Sequence, residues 1–161
     1  MTLKATISNN LLSYMNYYNY QDYESFSEHI GVNVNTFKCW TSLKRSPSLS
    51  TLDKISDRVN IPTYYLFKSS KNFKINHYIK ETYIPNCSRK ILSTNLNKIF
   101  INKNKYSWND RSSLFYGYFS IDTLMSYTRE KNPRTPPIEK ISLLAECLGI
   151  EPYKLLMKGS F

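Results

Sequence analysis

A chain of 161 residues with 41% apolar and 15% aromatic content can bury the core of one ordinary domain or two small ones, which excludes wholesale disorder. Its 22 Lys and Arg against 12 Asp and Glu leave a formal charge of +10, a surplus that favours a polyanionic partner: nucleic acid, an anionic membrane or an acidic protein. Three widely spaced Cys without a CxxC pair, and only two His, argue against a zinc site, and no stretch is apolar enough to span a bilayer.

The opening "MTLKATISNNLL" has no apolar core of signal-peptide length, so a cytoplasmic protein with reduced thiols is expected. Ile7, Leu11 and Tyr14 recur at helical spacing. Further on, "KRSPSLSTL" sets two cations before Pro47, and Ser48 or Ser50 can cap the helix that follows. That helix carries Leu49, Leu52, Ile55, Val59 and Ile61 on one face. Residues 69–87 open with serines and Lys71 and nearly end at Pro85. Their middle reads as a short helix with Ile75, Tyr78, Ile79 and Tyr83 on one side, or as an alternating strand. Leu92, Leu96 and Ile99 restart the helical spacing. "NKIFINKNKYSWNDR" then mixes Lys98, Lys103, Lys105 and Arg111 with Tyr106 and Trp108. Interleaved cations and aromatics can stack single strands, but core aromatics under a solvated lysine face are the expectation here.

The stretch from Pro47 has a second copy from Pro136: "PSLSTLDKISDRVNIPTYYLF" against "PPIEKISLLAECLGIEPYKLLM". Leu49 matches Ile138, Leu52 matches Ile141, Ile55 matches Leu144, Ser56 matches Ala145, Val59 matches Leu148 and Ile61 matches Ile150. Upstream, "TFKCW" resembles "TLMSY", with two extra residues before the second proline. "SFSEHIGVNVN" faces "SLFYGYFSID", about one residue shorter. Ile7, Leu11 and Tyr14 face Leu92, Leu96 and Ile99. The pattern predicts an all-α chain of two domains, 1–68 and 88–161, each of about five short helices, with a connector at 69–87. Leu52, Ile55, Val59 and Trp40 should be buried in the first domain, and Ile141, Leu144 and Leu148 in the second.

"YESFSEHIGVNVNTFKCWTSLKRSPSLSTLDKISDRVNIPTYYLF" resembles the lambda-repressor-like (Cro/repressor-type, XRE) helix-turn-helix domain, here in two tandem copies, the second divergent. The resemblance implies a scaffold helix at Tyr23–Ile30, a turn at Gly31-Val32, a recognition helix at Val34–Ser42 and a basic loop at Leu43–Ser46. Leu43 stands where the family often has Gly; Leu tolerates a left-handed conformation poorly, so the loop geometry is expected to differ. The second copy matches well only from Pro136 onward.

By this resemblance Lys44 and Arg45 meet phosphates and Ser46 adds a neutral hydrogen bond, contacts that position without reading sequence. Val34, Asn35, Lys38 and Cys39, with Asn33 and Thr36 nearby, are placed to read bases in the major groove. Tyr23 takes the place of a phosphate-contacting Gln, where its hydroxyl does the same or its ring covers the helix junction. Phe37 and Trp40 belong to the core. In the second copy the matching positions are Ile121, Asp122, Met125 and Ser126, a poor reading set, beside Arg129, Lys131 and Arg134 in an enlarged loop that can grip the backbone.

The implied function is a sequence-specific double-stranded DNA-binding protein, a transcriptional regulator of a phage, plasmid or low-GC bacterium; heavy use of Asn, Lys, Ile and Tyr suits an AT-rich genome. The competing expectation is a protein-binding inhibitor on the same fold, an anti-CRISPR-like or other host-takeover protein of a mobile element. Expected partners are duplex DNA, a second copy of the chain, or a host protein through the second domain, and no membrane. No cofactor or catalytic residue is expected: there is no Gly-rich phosphate loop, no His paired with a nucleophile and no metal-ligand spacing, and His29 reads as structural.

Overall fold

The apolar series read from the sequence become the inner faces of helices in the computed structural model, which describes residues 1–69, 71, 73, 75 and 85–161. The protein is all-α: every regular element among the described residues is helical. Two units separate between Asn86 and Cys87. The first holds α1 (Leu3–Tyr17), α2 (Tyr23–Ile30), α3 (Val34–Thr41), α4 (Leu49–Arg58) and a short 3-10 helix, Thr63–Phe67. The second holds α5 (Ser88–Asn102), α6 (Trp108–Ser113), α7 (Ile121–Thr128), α8 (Ile138–Leu148) and α9 (Pro152–Leu156). No helix among the described residues is long and apolar enough to cross a membrane.

The first core gathers Ile7, Leu11, Phe26, Ile30, Phe37, Trp40, Leu52 and Ile55. Phe37 stands edge-on to Phe26 at 5.4 Å and to Trp40 at 6.3 Å, the favourable arrangement for paired rings. In the second core Leu92, Leu96, Leu124, Ile141 and Leu144 surround Phe100 and Phe115, whose centroids lie 6.2 Å apart. Leu148 differs from expectation: it is half-buried, because the helix end it faces lacks a large side chain to cover it.

Most helices stop by one device. A residue in the left-handed conformation turns the chain, and the two N–H groups around it bond back to the last carbonyls. Asn19, Gly31, Asn60, Asn104 and Gly149 serve α1, α2, α4, α5 and α8. Leu43 serves α3 with φ 58°, so the loop keeps the left-handed geometry expected to be lost there. Its N–H donates to Trp40 O at 3.0 Å and that of Lys44 to Cys39 O at 2.9 Å. The strain of a branched side chain at this φ is accepted because the backbone bonds close the helix.

Helix starts also pair between the units. Asp22, Asn33 and Ser48 cap α2, α3 and α4, and Ser107 and Ser120 cap α6 and α7. From cap to cap, Asp22 to Asn33 is two residues shorter than Ser107 to Ser120. The second copy is therefore longer here, not about one residue shorter as the pairing of "SFSEHIGVNVN" with "SLFYGYFSID" implies. The physical reason is that α6 stops at Ser113 and the chain then passes through two left-handed residues, Tyr116 and Gly117, before α7.

A buried polar contact repeats in both units. Asn10 on α1 donates through Nδ2 to Leu66 O and Lys68 O, both at 2.9 Å. Asn95 on α5 donates to Leu155 O at 2.9 Å and Met157 O at 3.0 Å. Each Asn sits at the same place in its helix relative to the matched apolar residues. Each satisfies the orphan carbonyls of the closing helical turn, which would otherwise be buried without partners.

The connector reading at Tyr78, Ile79 and Tyr83 lies outside the described residues. Phe73 packs edge-on to Tyr14 at 5.3 Å. Asn86 is pinned to the first unit: its Oδ1 accepts from Thr63 N at 3.0 Å, and its Nδ2 donates to Asp57 Oδ1 at 2.7 Å and Ile61 O at 2.9 Å.

Candidate nucleic-acid interface

In the first unit α3 buries Phe37 and Trp40, which lie three residues apart on one side. Asn35, Thr36 and Lys38 are exposed on the other side, and Val34 and Cys39 are half-buried between. Asn35 and Lys38, also three apart, share a face, so an amide and an ammonium stand side by side on solvent. Asn33 is engaged in capping the helix. Its Oδ1 accepts from Asn35 N at 2.9 Å, leaving only its amide donors available.

The loop after α3 is folded back onto the helix end. Lys44 N and Arg45 N both donate to Cys39 O, at 2.9 and 3.2 Å, and Ser42 Oγ donates to Lys38 O at 2.7 Å. Pro47 is buried and anchors the far end, while Lys44 and Arg45 are exposed and Ser46 half-buried. These two cations are thus carried on a fixed backbone. A third cation, Arg58, lies over Gly31 and reaches His29 O at 3.5 Å, where it complements the C-terminal end of α2. Gly31, with φ 74°, is needed for the left-handed turn; the Arg58 guanidinium packs where a Cβ would stand, a place that flexible side chain can leave.

The start of α2 has the opposite sign. Asp22 caps it, accepting from Ser25 N at 2.8 Å and from Ser25 Oγ at 3.1 Å, and these bonds hold its carboxyl below its ordinary pKa. Glu24 is exposed one residue after Tyr23. The Tyr23 ring packs edge-on to Phe37 at 5.2 Å and so covers the helix junction. A phosphate at this end would meet two carboxylates, whereas one at the α3–α4 loop would meet Lys44 and Arg45.

In the second unit Asp122 and Met125 are exposed, the latter 41%, and Ile121 and Ser126 are half-buried. Tyr116 and Tyr118, in the longer turn, are 78% and 60% exposed. α7 ends without a left-handed residue. Instead α5 supplies the partners: Asn97 Nδ2 donates to Thr128 O at 3.0 Å and Ser93 Oγ to Arg129 O at 3.0 Å. The enlarged loop buries Pro133 and Pro136 and exposes Arg129, Lys131 and Arg134. In residues 97–111, Trp108 and Arg111 are half-buried and Tyr106 is 68% exposed, so the expectation of core aromatics does not hold for Tyr106. The Arg111 guanidinium lies over Trp108 at 4.6 Å and Phe100 at 5.2 Å, and its Nε donates to Lys105 O at 3.0 Å.

Sequence reading missed Arg58, Ser93, Asn97, Asn10 and Asn95. A signal existed only for the last two: an Asn repeated at matching places among apolar positions of two helices. Cys39, Cys87 and Cys147 are separate half-buried thiols. Comparison with protein-family models, with curated proteins and with solved structures found no match to this chain.

Proposed function

We propose that this protein is a sequence-specific double-stranded DNA-binding regulator of the lambda-repressor-like helix-turn-helix type, with base reading concentrated in its first unit. The observation that supports the reading is a pair of features on consecutive segments. An exposed Asn35–Thr36–Lys38 face stands opposite the buried Phe37 and Trp40, and a fixed loop follows it with Lys44 and Arg45 in solvent. Asn can make bidentate bonds to adenine and Lys can donate to guanine, while the loop cations neutralise phosphates. The second unit grips the backbone through Arg129, Lys131 and Arg134 without reading bases. A transcriptional regulator of a phage, plasmid or low-GC bacterium is the role that fits a small, strongly basic binder.

The test is selection of duplexes bound by the full chain from a random pool, followed by titration against salt. A defined motif is expected. Lys44→Ala and Arg45→Ala should each flatten the log–log salt slope by about one unit and weaken all sequences alike. Asn35→Ala or Lys38→Ala should relax preference at particular base pairs, by about 1–3 kcal/mol where the contact is bidentate. Absence of duplex binding would overturn the reading and favour the protein-binding inhibitor. Exposed Tyr116, Tyr118 and Met125, an apolar set at the place where the first unit is polar, support that second reading.

A further inference from the structure

The C-terminal end of the first helix is built differently in the two units. In the first, α1 presents Tyr14, Tyr17 and Tyr18 there. Tyr14 stacks on Tyr18 at 6.2 Å, Tyr17 stands edge-on to Tyr18 at 5.1 Å, and Phe73 closes on Tyr14. Val59 and Ile61 of the first unit are buried. In the second unit the three matching positions of α5 are Ile99, Asn102 and Lys103, and the matches of Val59 and Ile61 are Leu148 and Ile150. These five residues, with Phe161, line an open cavity of about 320 Å³. Leu148 and Ile150 are half-buried rather than buried. Of the three tyrosines only Tyr14 is buried; Ile99 stands in its place in the second unit, beside the open space over Leu148 and Ile150.

The volume lies at the small end of the range for organic ligands. The floor is aliphatic, Phe161 supplies a ring, and Asn102 supplies an amide. Lys103 carries the one charged side chain of the lining, and among the described residues its ammonium makes no hydrogen bond or ion pair. Lys98, one turn earlier on α5, holds the Phe161 main-chain oxygen at 3.1 Å and so fixes that wall. A tight dispersive fit for one or two rings, with one cation at the edge, selects an apolar molecule bearing an acidic group.

We propose that the second unit carries a small-molecule site between the C-terminal ends of α5 and α8, which takes a small apolar acid, its rings on Ile99, Leu148 and Ile150 and its anionic group on Lys103. The site is independent of any contact with nucleic acid. The probes are 8-anilinonaphthalene-1-sulfonate, which is aromatic and anionic, and its neutral relative N-phenyl-1-naphthylamine, titrated by fluorescence into the full chain. Saturable binding of one sulfonate per chain is expected. Ile99→Tyr copies the side chain that fills the first unit and should weaken both probes by more than about tenfold. Should that variant lose its helical circular dichroism, Leu148→Phe fills the same space from the other wall and should do the same. Lys103→Gln should weaken the sulfonate by about fivefold or more and leave the neutral probe unchanged. Absence of saturable binding, or binding that both filling variants leave intact, would overturn the proposal. Equal loss of both probes in Lys103→Gln would overturn the assignment of the anionic group.

Discussion

Replacing Asn10 by Ala tests the tie between the first helix and the closing turn of the first unit. Asn10 is 2% exposed, and its Nδ2 serves Leu66 O and Lys68 O at 2.9 Å each. Ala leaves the buried Leu66 carbonyl without its donor, at a cost of about 1–3 kcal/mol. The bond to Lys68 O is only partly buried, so water replaces it more easily and the total is about 2–3 kcal/mol. A unit of this size has a urea m value near about 1 kcal/mol/M, so its unfolding midpoint should fall by about 2 M. The chain has two tryptophans, Trp40 in the first unit and Trp108 in the second, so each can report its own unit. In a Trp108→Phe background, Trp40 emission should follow the Asn10→Ala loss. In a Trp40→Phe background, Trp108 emission should follow a similar loss for Asn95→Ala. A midpoint that moves by less than about 0.5 M for Asn10→Ala would mean the carbonyls find equal partners without the amide, and the shared tie would carry no weight.

Leu43 is strained by its left-handed backbone, so Leu43→Gly should relieve about 1–2 kcal/mol of strain against about 0.5–1 kcal/mol of added unfolded-state entropy. Its side chain is already 43% exposed, so a net gain of about 0.5 kcal/mol is expected in the Trp40 transition, and a loss of more than about 1 kcal/mol would refute the strain argument. Tyr14 is buried, and its hydroxyl has no hydrogen-bond partner among the described residues. Burial first, then Tyr65 and Tyr18, push its phenol well above its ordinary value. The folded state therefore keeps the proton where the unfolded chain loses it. This contribution is fully present below about pH 10 and is lost as pH rises beyond it. Tyr14→Phe should be close to neutral at pH 7 and should flatten the alkaline decline in urea stability; an unchanged decline would assign it to other tyrosines.

The helices are legible in the sequence because burial imposes a 3.6-residue period on the chain, and Leu52, Ile55, Leu92 and Leu96 carry it plainly. A serine cap here is legible, though the sequence leaves Ser48 and Ser50 both open and the fold uses Ser48. Asn10 and Asn95 are not, because a buried amide looks like an interruption of the apolar face until the carbonyls of a distant turn are placed beside it. The length of the second turn is hidden too: a lone Gly117 suggests one left-handed position, whereas the chain uses two there. Of the candidate site, the exposed face of α3 and the loop cations follow from the sequence, since Phe37 and Trp40 fix which side is inside. The negative end of α2 depends on Asp22 being used as a cap, and the ending of α7 on side chains from α5, which local sequence does not reveal.

The two units keep one frame and present different faces, and the reason lies in how little α3 and α7 give to the cores. α3 buries Phe37 and Trp40; α7 buries Leu124, Tyr127 and Thr128. The outward positions of both helices are therefore free to change without a folding cost. Asn35 corresponds to Asp122 and Lys38 to Met125, counted from the capping residues Asn33 and Ser120. Both second-unit residues are exposed. The double substitution Asp122→Asn and Met125→Lys, which copies the first face onto the second, should leave the Trp108 unfolding transition within about 0.5 kcal/mol. It also removes one negative charge from the second unit and adds one positive charge, a net change of about +2. If that face lies against a duplex, the salt slope of binding should steepen by about one to two units, and the selected motif should lengthen on one side. An unchanged slope and motif with intact folding would place the second face away from DNA. A stability change of more than about 1 kcal/mol would show instead that Met125 is covered in the folded chain, and the argument that this face is free to vary would fail.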